Sequence, residues 1–232
     1  MSRFNLILGD CPWSFSDPLT MSDTKRGAAS QYDVLTTKDI IKLDVELIAA
    51  DDAVLVLWVP SSLLQEGLDT MKSWGFKQTQ TFIWVKTKKK PLIELTKEVK
   101  KLLKTESGTK LVPSIINNFN LNKVLNFFMG RLFRQTHEIA LVGKRGKPYG
   151  SLENKSQRSV IVSETDVVFD PNFKHSEKPE GLQDRLDIMF PDAKKVELFA
   201  RRQRPGWLCL GNEMPGKEDI RDSIKRIKEE KE

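Results

Sequence analysis

The sequence predicts an α/β fold with a doubly wound, mostly parallel sheet. Short apolar runs of strand length alternate along the chain with segments of helical periodicity. One of these runs, residues 53–59, is apolar without interruption, as expected of a strand buried on both faces. Helical connections between successive strands imply parallel pairing. We therefore expect a single domain over residues 1–232, with an insertion at about 87–133.

Local patterns place each element in order. We expect strands at residues 4–8, 53–59, 80–86, 138–142, 159–162, 196–199 and 207–210. We expect helices at residues 37–50, 61–74, 179–190 and 220–228. Thr37 suits an N-cap, Gly75 ends the second helix, and Pro179 suits the first turn of the third. Residues 14–30 are predicted to form a long loop over the site, and residues 143–146 a basic turn.

The insertion is expected to carry a basic amphipathic helix. Nine lysines and three glutamates lie between Lys86 and Lys110, and this surplus of six equals the net charge of the whole chain, +6. The apolar residues that share one helical face are Leu92, Leu95, Val99, Leu102 and Leu103. The segment is interpreted as a contact for a phosphate backbone, with packing against a partner and a plain solvated helix face as alternatives.

Composition and short motifs exclude several classes of protein. No apolar stretch approaches the roughly 20 residues that span a bilayer, and the sequence predicts no signal peptide. Cys11 and Cys209 form no disulfide framework and lack metal-ligand spacing, so we expect no metal site and a reducing compartment. The G-x-G-x-x-G and P-loop patterns are absent, which disfavours a dehydrogenase or a nucleoside triphosphatase.

The candidate site is the stretch Gly9-Asp10-Cys11-Pro12-Trp13 at the end of the first predicted strand. In open α/β sheets, ligands bind beyond the carboxyl ends of the strands. An acid, a proline and an aromatic at that edge are therefore candidates for ligand contact. On its own the stretch is also compatible with an ordinary turn from a strand into a loop.

Eight motifs along the chain occur together in one known order. They are Asp10-Cys11-Pro12-Trp13, Leu57-Trp58-Val59, Trp74-Gly75-Phe76, Ile83-Trp84-Val85-Lys86, Thr136-His137-Glu138, His175-Ser176-Glu177-Lys178-Pro179, Glu197-Leu198-Phe199-Ala200-Arg201, and Gly206-Trp207 with Gly211-Asn212-Glu213. This series resembles the S-adenosylmethionine-dependent adenine methyltransferases that include the catalytic subunit of the eukaryotic mRNA methyltransferase and its bacterial and phage relatives. The resemblance covers nearly the whole chain apart from the insertion and the last helix, and it implies a Rossmann-like class I methyltransferase fold.

The resemblance implies that Asp10, Cys11, Pro12 and Trp13 form the catalytic motif. The Asp10 side chain and the Cys11 carbonyl would accept the two N–H groups of the adenine amine, and Trp13 would stack on the flipped base. Cysteine stands at position 11 where the family most often has proline. Because proline restricts both its own backbone and that of the residue before it, we expect a somewhat looser site.

The resemblance also implies a binding site for S-adenosylmethionine. Its residues are Asp10, Lys178, Phe199, Arg201, Asn212 and Glu213. Lys178 would meet the methionine carboxylate, Phe199 and Arg201 would border the cofactor, and Asn212 with Glu213 would accept the ribose hydroxyls. Alternatives remain for each: a core position for Phe199, surface ion pairs for the cations and a turn at Asn212.

The substrate is expected to be nucleic acid, DNA in preference to RNA, because the chain resembles compact bacterial and phage members of the family. The residues assigned to nucleic acid are Lys86, Lys88, Lys89, Lys90, Lys144 and Arg145. Alternatives are an RNA adenine methyltransferase, transfer to cytosine, a catalytically silent nucleic-acid-binding subunit, and a binding module that uses only the insertion. Pairing with a second copy or with a paralogous subunit stays open, and no membrane contact is expected. The expected location is the cytoplasm of a bacterial or phage-infected cell, or the nucleus of a eukaryotic one.

Overall fold

The computed structural model describes residues 3–14, 35–88, 93, 96–97, 100–101, 124–127, 132–164 and 178–229. Its strands are β1 (Phe4–Gly9), β2 (Ala49–Val59), β3 (Lys77–Thr87), β4 (His137–Arg145), β5 (Val160–Glu164), β6 (Lys195–Leu198) and β7 (Trp207–Leu210). Its helices are α1 (Thr37–Ile41), α2 (Val45–Ile48), α3 (Leu64–Ser73), α4 (Gly181–Met189) and α5 (Ile220–Glu229), with short 3-10 turns at Ser61–Leu63 and Pro148–Ser151. None of the helices within these ranges is long and apolar enough to cross a membrane.

The strands form one mixed seven-stranded sheet in the order β5-β3-β4-β2-β1-β6-β7. β1 pairs in parallel with both β2 and β6, β6 with β7, and β3 with β5. β4 runs antiparallel to β2, so the sheet is mostly but not wholly parallel. The predicted α/β class is confirmed.

The chain divides into two compact units that share strands β3 and β4. The first comprises residues 1–82, 139–159 and 180–232, and the second comprises residues 83–138 and 160–179. The predicted insertion at 87–133 falls within the second unit. Each unit is described by itself below.

Helices cover both faces of the sheet in the first unit. On one face, side chains from three central strands pack against α1, α2, α3 and α5 in a single core cluster, and these strand residues are Ile7, Leu55, Leu57, Val196 and Leu198. The other face carries the alternate residues of β6. There Gln183 and Asp187 of α4 contact Glu197 and Lys195, at 2.7 and 2.9 Å respectively. This arrangement is the predicted doubly wound one.

The predicted helix at 37–50 is wrong in extent, because the segment forms α1, α2 and the start of β2. Thr36, not Thr37, is the N-cap of α1, and its hydroxyl accepts the Asp39 backbone N–H at 3.2 Å. After α2 the chain turns extended at Ala49, which pairs with Phe4 of β1. Pairing with a neighbouring strand thus ends a helix that the apolar pattern would have continued.

The predicted turn at 143–146 is also displaced. Gly143 through Arg145 belong to β4, because they pair with Leu55 through Ala53 of β2. The turn falls at Gly146, where φ is +60° and a Cβ atom would lie 2.2 Å from a carboxylate oxygen of Asp52. Only glycine fits this position without strain.

Part of the remaining prediction lies outside the described residues. This applies to nearly all of the predicted loop at 14–30 and to the apolar face predicted for the insertion helix. Within the insertion, Ile93, Thr96, Lys97, Lys100 and Lys101 are helical and exposed.

Helix α3 approaches β2 closely at Gly67. A Cβ atom there would lie 2.6 and 2.7 Å from the two γ-carbons of Val59. In an open helix, alanine in place of glycine would stabilise by about 1 kcal/mol. Here the backbone or Val59 must shift, and overpacking of this kind costs about 1–3 kcal/mol.

We therefore predict that Gly67→Ala lowers the free energy of unfolding by up to about 2 kcal/mol, measured by urea denaturation. Gly150→Ala is the matched control, since no atom lies within 4 Å of its Cβ position. Equal stability of the two variants would contradict the proposed crowding.

Candidate active site

Strand β1 delivers Asp10 to the carboxyl edge of the sheet. Its last residue, Gly9, pairs with Leu57 on one side and Leu198 on the other. A Cβ atom at Gly9 would lie 3.1 Å from a methyl group of Leu57, so the backbone packs closely here. The Asp10 N–H donates to the Leu198 carbonyl at 3.4 Å. Asp10 therefore emerges between the ends of β2 and β6, where parallel sheets bind ligands.

Two buried side chains hold the turn that follows Asp10. The Cys11 carbonyl accepts the Trp13 N–H at 2.9 Å, which closes a tight turn. The Cys11 thiol is buried in the core, and burial, followed by the charge of Asp10, raises its pKa well above the ordinary value. Cys11 therefore acts as a small neutral core residue. Its packing and that of Trp13 restrain the turn where the family pattern relies on proline.

Trp13 lies in the core cluster with 4% of its surface exposed. Its indole N–H donates to the Trp58 carbonyl at 2.9 Å. In this structure the ring anchors the turn and presents no open face, so stacking on a base would require it to leave this packing. The role of Trp13 in base stacking stays a prediction. The other four tryptophans are buried as expected: Trp58, Trp74, Trp84 and Trp207.

The segments after β6 and β7 are packed backbone to backbone. The Ala200 N–H donates to the Leu210 carbonyl at 2.8 Å. A Cβ atom at Gly211 would lie 2.6 Å from the Ala200 carbonyl oxygen, so only glycine permits this approach. Phe199 at the start of the first segment has φ of +60°, a strained value for a residue with a side chain.

This close approach brings together four residues that the resemblance assigns to the cofactor. Phe199 packs against the core cluster, and the Arg201 guanidinium lies 3.6 Å from the Glu213 carboxylate. Asn212 and Glu213 are exposed. Because β1 is the neighbour of β6, these groups lie at the same sheet edge as Asp10.

Glu197 is a further acidic group at this edge, and its role was not singled out from the sequence. Its carboxylate accepts a hydrogen bond from the Gln183 side chain at 2.7 Å. Burial, together with the charge of Asp10, outweighs the attraction of Arg202 and raises the pKa of Glu197 to about 7. A carboxyl group on an interior strand position next to a second acid could have suggested this perturbation.

Lys178 lies in the second unit, in a cluster with Lys86 and Glu138. The Lys86 ammonium is ion-paired with Glu138 and lies 4.5 Å from the centre of the Trp84 ring. Lys178 reaches the other Glu138 oxygen at 3.4 Å. Burial alone would raise the pKa of Glu138, but Lys178 and Lys86 outweigh it, and the pKa lies below its ordinary value. The role of Lys178 toward the cofactor stays a prediction.

The lysines predicted to meet nucleic acid are placed differently from one another. Lys86 is 6% exposed and directed to Glu138 instead of solvent, and Lys88 is half-buried. Lys89 and Lys90 lie outside the described residues. Their contact with nucleic acid stays a prediction.

Lys144 and Arg145 lie at the other edge of the sheet from Asp10. Lys144 pairs with Val54 near the start of β2, whereas Asp10 lies one residue beyond the level of Leu57. Four residues of strand separate these levels, about 13 Å. Any contact of these two cations with nucleic acid would therefore be remote from Asp10.

The raised pKa of Glu197 makes stability depend on pH. The folded protein holds this proton up to about pH 7, whereas the unfolded chain releases it near 4.5. The contribution of Glu197 to the free energy of unfolding is therefore complete below pH 4.5 and is lost as the pH rises through about 7. The total loss is about 3 kcal/mol.

We predict that Glu197→Gln flattens this dependence, so that the variant loses less stability than the parent between about pH 5 and pH 8. The pH dependence is measured by thermal unfolding across this range. Asp51→Asn, a change at an exposed carboxyl group, is the control. Parallel pH profiles for the parent and Glu197→Gln would exclude a raised pKa at this position.

Comparison with known proteins identifies relatives of this chain. The MT-A70 family model matches residues 4–113 and 113–213. The human N(6)-adenosine-methyltransferase catalytic subunit METTL3 is 23% identical over 218 residues, which are 93% of this chain and 29% of that protein. An MT-A70-like N(6)-adenosine-methyltransferase of Arabidopsis thaliana is 24% identical over 230 residues, which are 97% of this chain and 26% of the relative.

A shorter relative matches over most of its own length. The type II methyltransferase M.MunI of Mycoplasma is 25% identical over 228 residues, which are 92% of this chain and 78% of that enzyme. By contrast, the chain spans less than a third of the adenosine methyltransferases named above. The family match nevertheless covers most of the chain. The chain therefore belongs to the MT-A70 family, whose methyltransferases depend on S-adenosylmethionine.

Proposed function

We propose that this chain methylates the exocyclic N6 amine of adenine in nucleic acid, and that its substrate is DNA. The observation that carries the proposal is the position of Asp10 beside the joined ends of β6 and β7. At the same edge are a strained phenylalanine and an arginine–glutamate ion pair whose glutamate is exposed. This is the expected composition of a site for a nucleoside cofactor and an amine.

The residues at this edge fit S-adenosylmethionine. Glu213 and Asn212 are exposed, and their oxygens suit the hydroxyl groups of a ribose. The Arg201 guanidinium lies 3.6 Å from one oxygen of the Glu213 carboxylate and forms an ion pair with it. Phe199 contributes an aromatic ring held by its backbone. When bound, the cofactor supplies a methyl group activated by a sulfonium.

Asp10 and Cys11 prepare the amine. The lone pair of the exocyclic nitrogen is delocalised into the adenine ring, which makes this nitrogen a poor nucleophile. Acceptors for its two N–H groups favour a tetrahedral nitrogen with a directed lone pair. The Asp10 carboxylate is one acceptor. The Cys11 carbonyl is the other, since its hydrogen bond with the Trp13 N–H occupies only one of its two lone pairs. No strong base is needed, because the amine becomes acidic once it is methylated and cationic.

The proposal of DNA depends on resemblance to compact bacterial and phage members of the family. It is supported by the match to M.MunI over 78% of that enzyme, against 29% of METTL3. The adenosine methyltransferase names of the longer relatives favour RNA as the alternative substrate. A catalytically silent subunit is a second alternative, favoured by cysteine at position 11. Action in a bacterial or phage-infected cytoplasm, and pairing with a second or a paralogous chain, belong to the same proposal.

We predict that Asp10→Ala and Asp10→Asn lower methyl transfer by roughly 10²–10³-fold, because each removes the anionic acceptor for the amine. The assay is transfer of radiolabelled methyl groups to DNA and RNA panels, followed by nucleoside analysis. Asp51→Asn, an exposed carboxylate at the far edge of the sheet, is the control. A near-normal rate for Asp10→Asn would overturn the mechanism. Methyl transfer to RNA and not to DNA would identify RNA, the alternative, as the substrate.

We also predict that Gly211→Ala weakens S-adenosylmethionine binding at least about tenfold, measured by calorimetry. The added methyl group would collide with the Ala200 backbone and separate the two segments that carry Phe199, Arg201 and Glu213. Gly150→Ala serves as the control, because its Cβ position is open. Unchanged affinity for Gly211→Ala would place the cofactor elsewhere.

A further inference from the structure

The second unit exposes large apolar side chains within one segment. Phe127 is 72% exposed, Phe133 is 80% exposed and Leu132 is 85% exposed. Aromatic rings of this size are usually buried, and their exposure marks surfaces that bind a partner or ligand. We call Phe127, Phe133 and Arg134 the aromatic patch.

The backbone that carries the aromatic patch is tied to the end of β3. The Asn126 N–H donates to the Lys86 carbonyl, and the Lys88 N–H donates to the Val124 carbonyl, both at 2.9 Å. On the other side of the segment, the Thr136 carbonyl accepts the Lys86 N–H at 2.8 Å. Phe127 and Arg134 thus extend from backbone fixed at the same strand residue. The exposed Phe127 ring and the Arg134 side chain therefore extend from backbone that is hydrogen-bonded to β3.

Arg134 contacts one of these rings, and exposed lysines occur in the same unit. The guanidinium carbon of Arg134 lies 4.8 Å from the centre of the Phe127 ring, a cation–π contact. Lys97, Lys100 and Lys101 of the same unit are helical and exposed. The segment from Lys86 to Lys110 carries the whole net charge of the chain, +6.

Exposed aromatic rings set among cations are what proteins use to hold unpaired nucleotides. Bases of a single strand stack on the rings while the cations follow the phosphates. A duplex keeps its bases stacked on each other, so it offers phosphates but no free base face. An uncharged protein surface would cover the apolar rings equally well, but it would gain less from Arg134 and from the basic segment of this unit.

We propose that the aromatic patch binds unpaired nucleotides of the substrate strand, with a base stacked on Phe127 or Phe133 and a phosphate on Arg134. The proposal rests on the proposed function in one respect, that the ligand is nucleic acid. It adds that this ligand is single-stranded where it meets the second unit. The chemistry is shared by DNA and RNA.

The test is fluorescence anisotropy with labelled oligonucleotides of one sequence, as single-stranded DNA, single-stranded RNA and duplex DNA, without cofactor. The variants at Phe127 are Phe127→Ala, Phe127→Leu, which keeps apolar volume without a ring, and Phe127→Tyr, which keeps the ring. Phe133→Ala and Arg134→Gln probe the rest of the aromatic patch. Leu132→Ala is the matched control, an exposed apolar residue of the same segment without a ring.

Loss of a stacking ring should weaken single-strand binding about 5- to 100-fold in the Ala and Leu variants, whereas Phe127→Tyr and Leu132→Ala bind like the parent. Duplex affinity should change little. Arg134→Gln should reduce the slope of log affinity against log salt by about 0.7, the value for one phosphate contact on a single strand. Since Phe127 and Phe133 are exposed, their variants should melt with the parent.

Three results would overturn the proposal. The first is unchanged single-strand affinity in Phe127→Ala and Phe133→Ala, and the second is equal weakening of single-strand and duplex binding in these variants. The third is a change in the oligomeric state of these variants, measured by sedimentation, while their oligonucleotide affinity equals that of the parent. The last would assign the rings to a second protein chain. Absence of all oligonucleotide binding by the parent protein would overturn the proposed function as well. Oligonucleotide binding by the parent protein without any methyl transfer would contradict the proposed function alone, so failure of catalysis is distinguishable from failure of this surface.

Discussion

The two-sided hydrogen bonding of β1 is the constraint on which the candidate site depends. Because β1 lies between β2 and β6, its carboxyl end is fixed on both sides, and Gly9 lies tightly against Leu57. Asp10 continues from this fixed point and is bonded to Leu198 through its own N–H. The Asp10 carboxylate is thus attached directly to the end of an interior strand that is paired along both edges. The turn after it keeps Pro12, and at position 11, where the family most often has a further proline, a buried cysteine packs in the core with Trp13.

Much of the sheet could be predicted from the sequence, because its strands are continuous or alternating apolar runs bounded by polar residues. The helix predicted through residue 50 failed where Ala49 pairs with Phe4, and such pairing across 45 positions leaves no local signal. The turn expected at Gly143 failed for the same reason, since β4 continues as long as β2 pairs with it.

The position of the Gly9–Trp13 stretch at a strand end indicates a site, but the roles of its residues and the cofactor residues could be proposed only through the resemblance, since single acids and aromatics carry little information. Glu197 lies within one of the motifs, but the sequence alone does not mark it as unusual, because its raised pKa arises from burial and from Asp10, which is distant in sequence. Trp13 was set apart from the core tryptophans by its position in the motif, whereas its burial depends on Trp58 and the core around it. Tertiary contacts of this kind are what a one-dimensional pattern omits.

The pairing of β1 with β6 also has a consequence for the order in which the protein folds. Leu6 and Lys195 become neighbours only after nearly 190 residues of intervening chain have been made. During synthesis, β1 can therefore pair with β2 before β6 has been made, and its other edge stays unpaired until then. Contacts so distant in sequence are slow to form, and they expose strand edges meanwhile. The edge that carries Asp10 is thus completed only after β6 has been made.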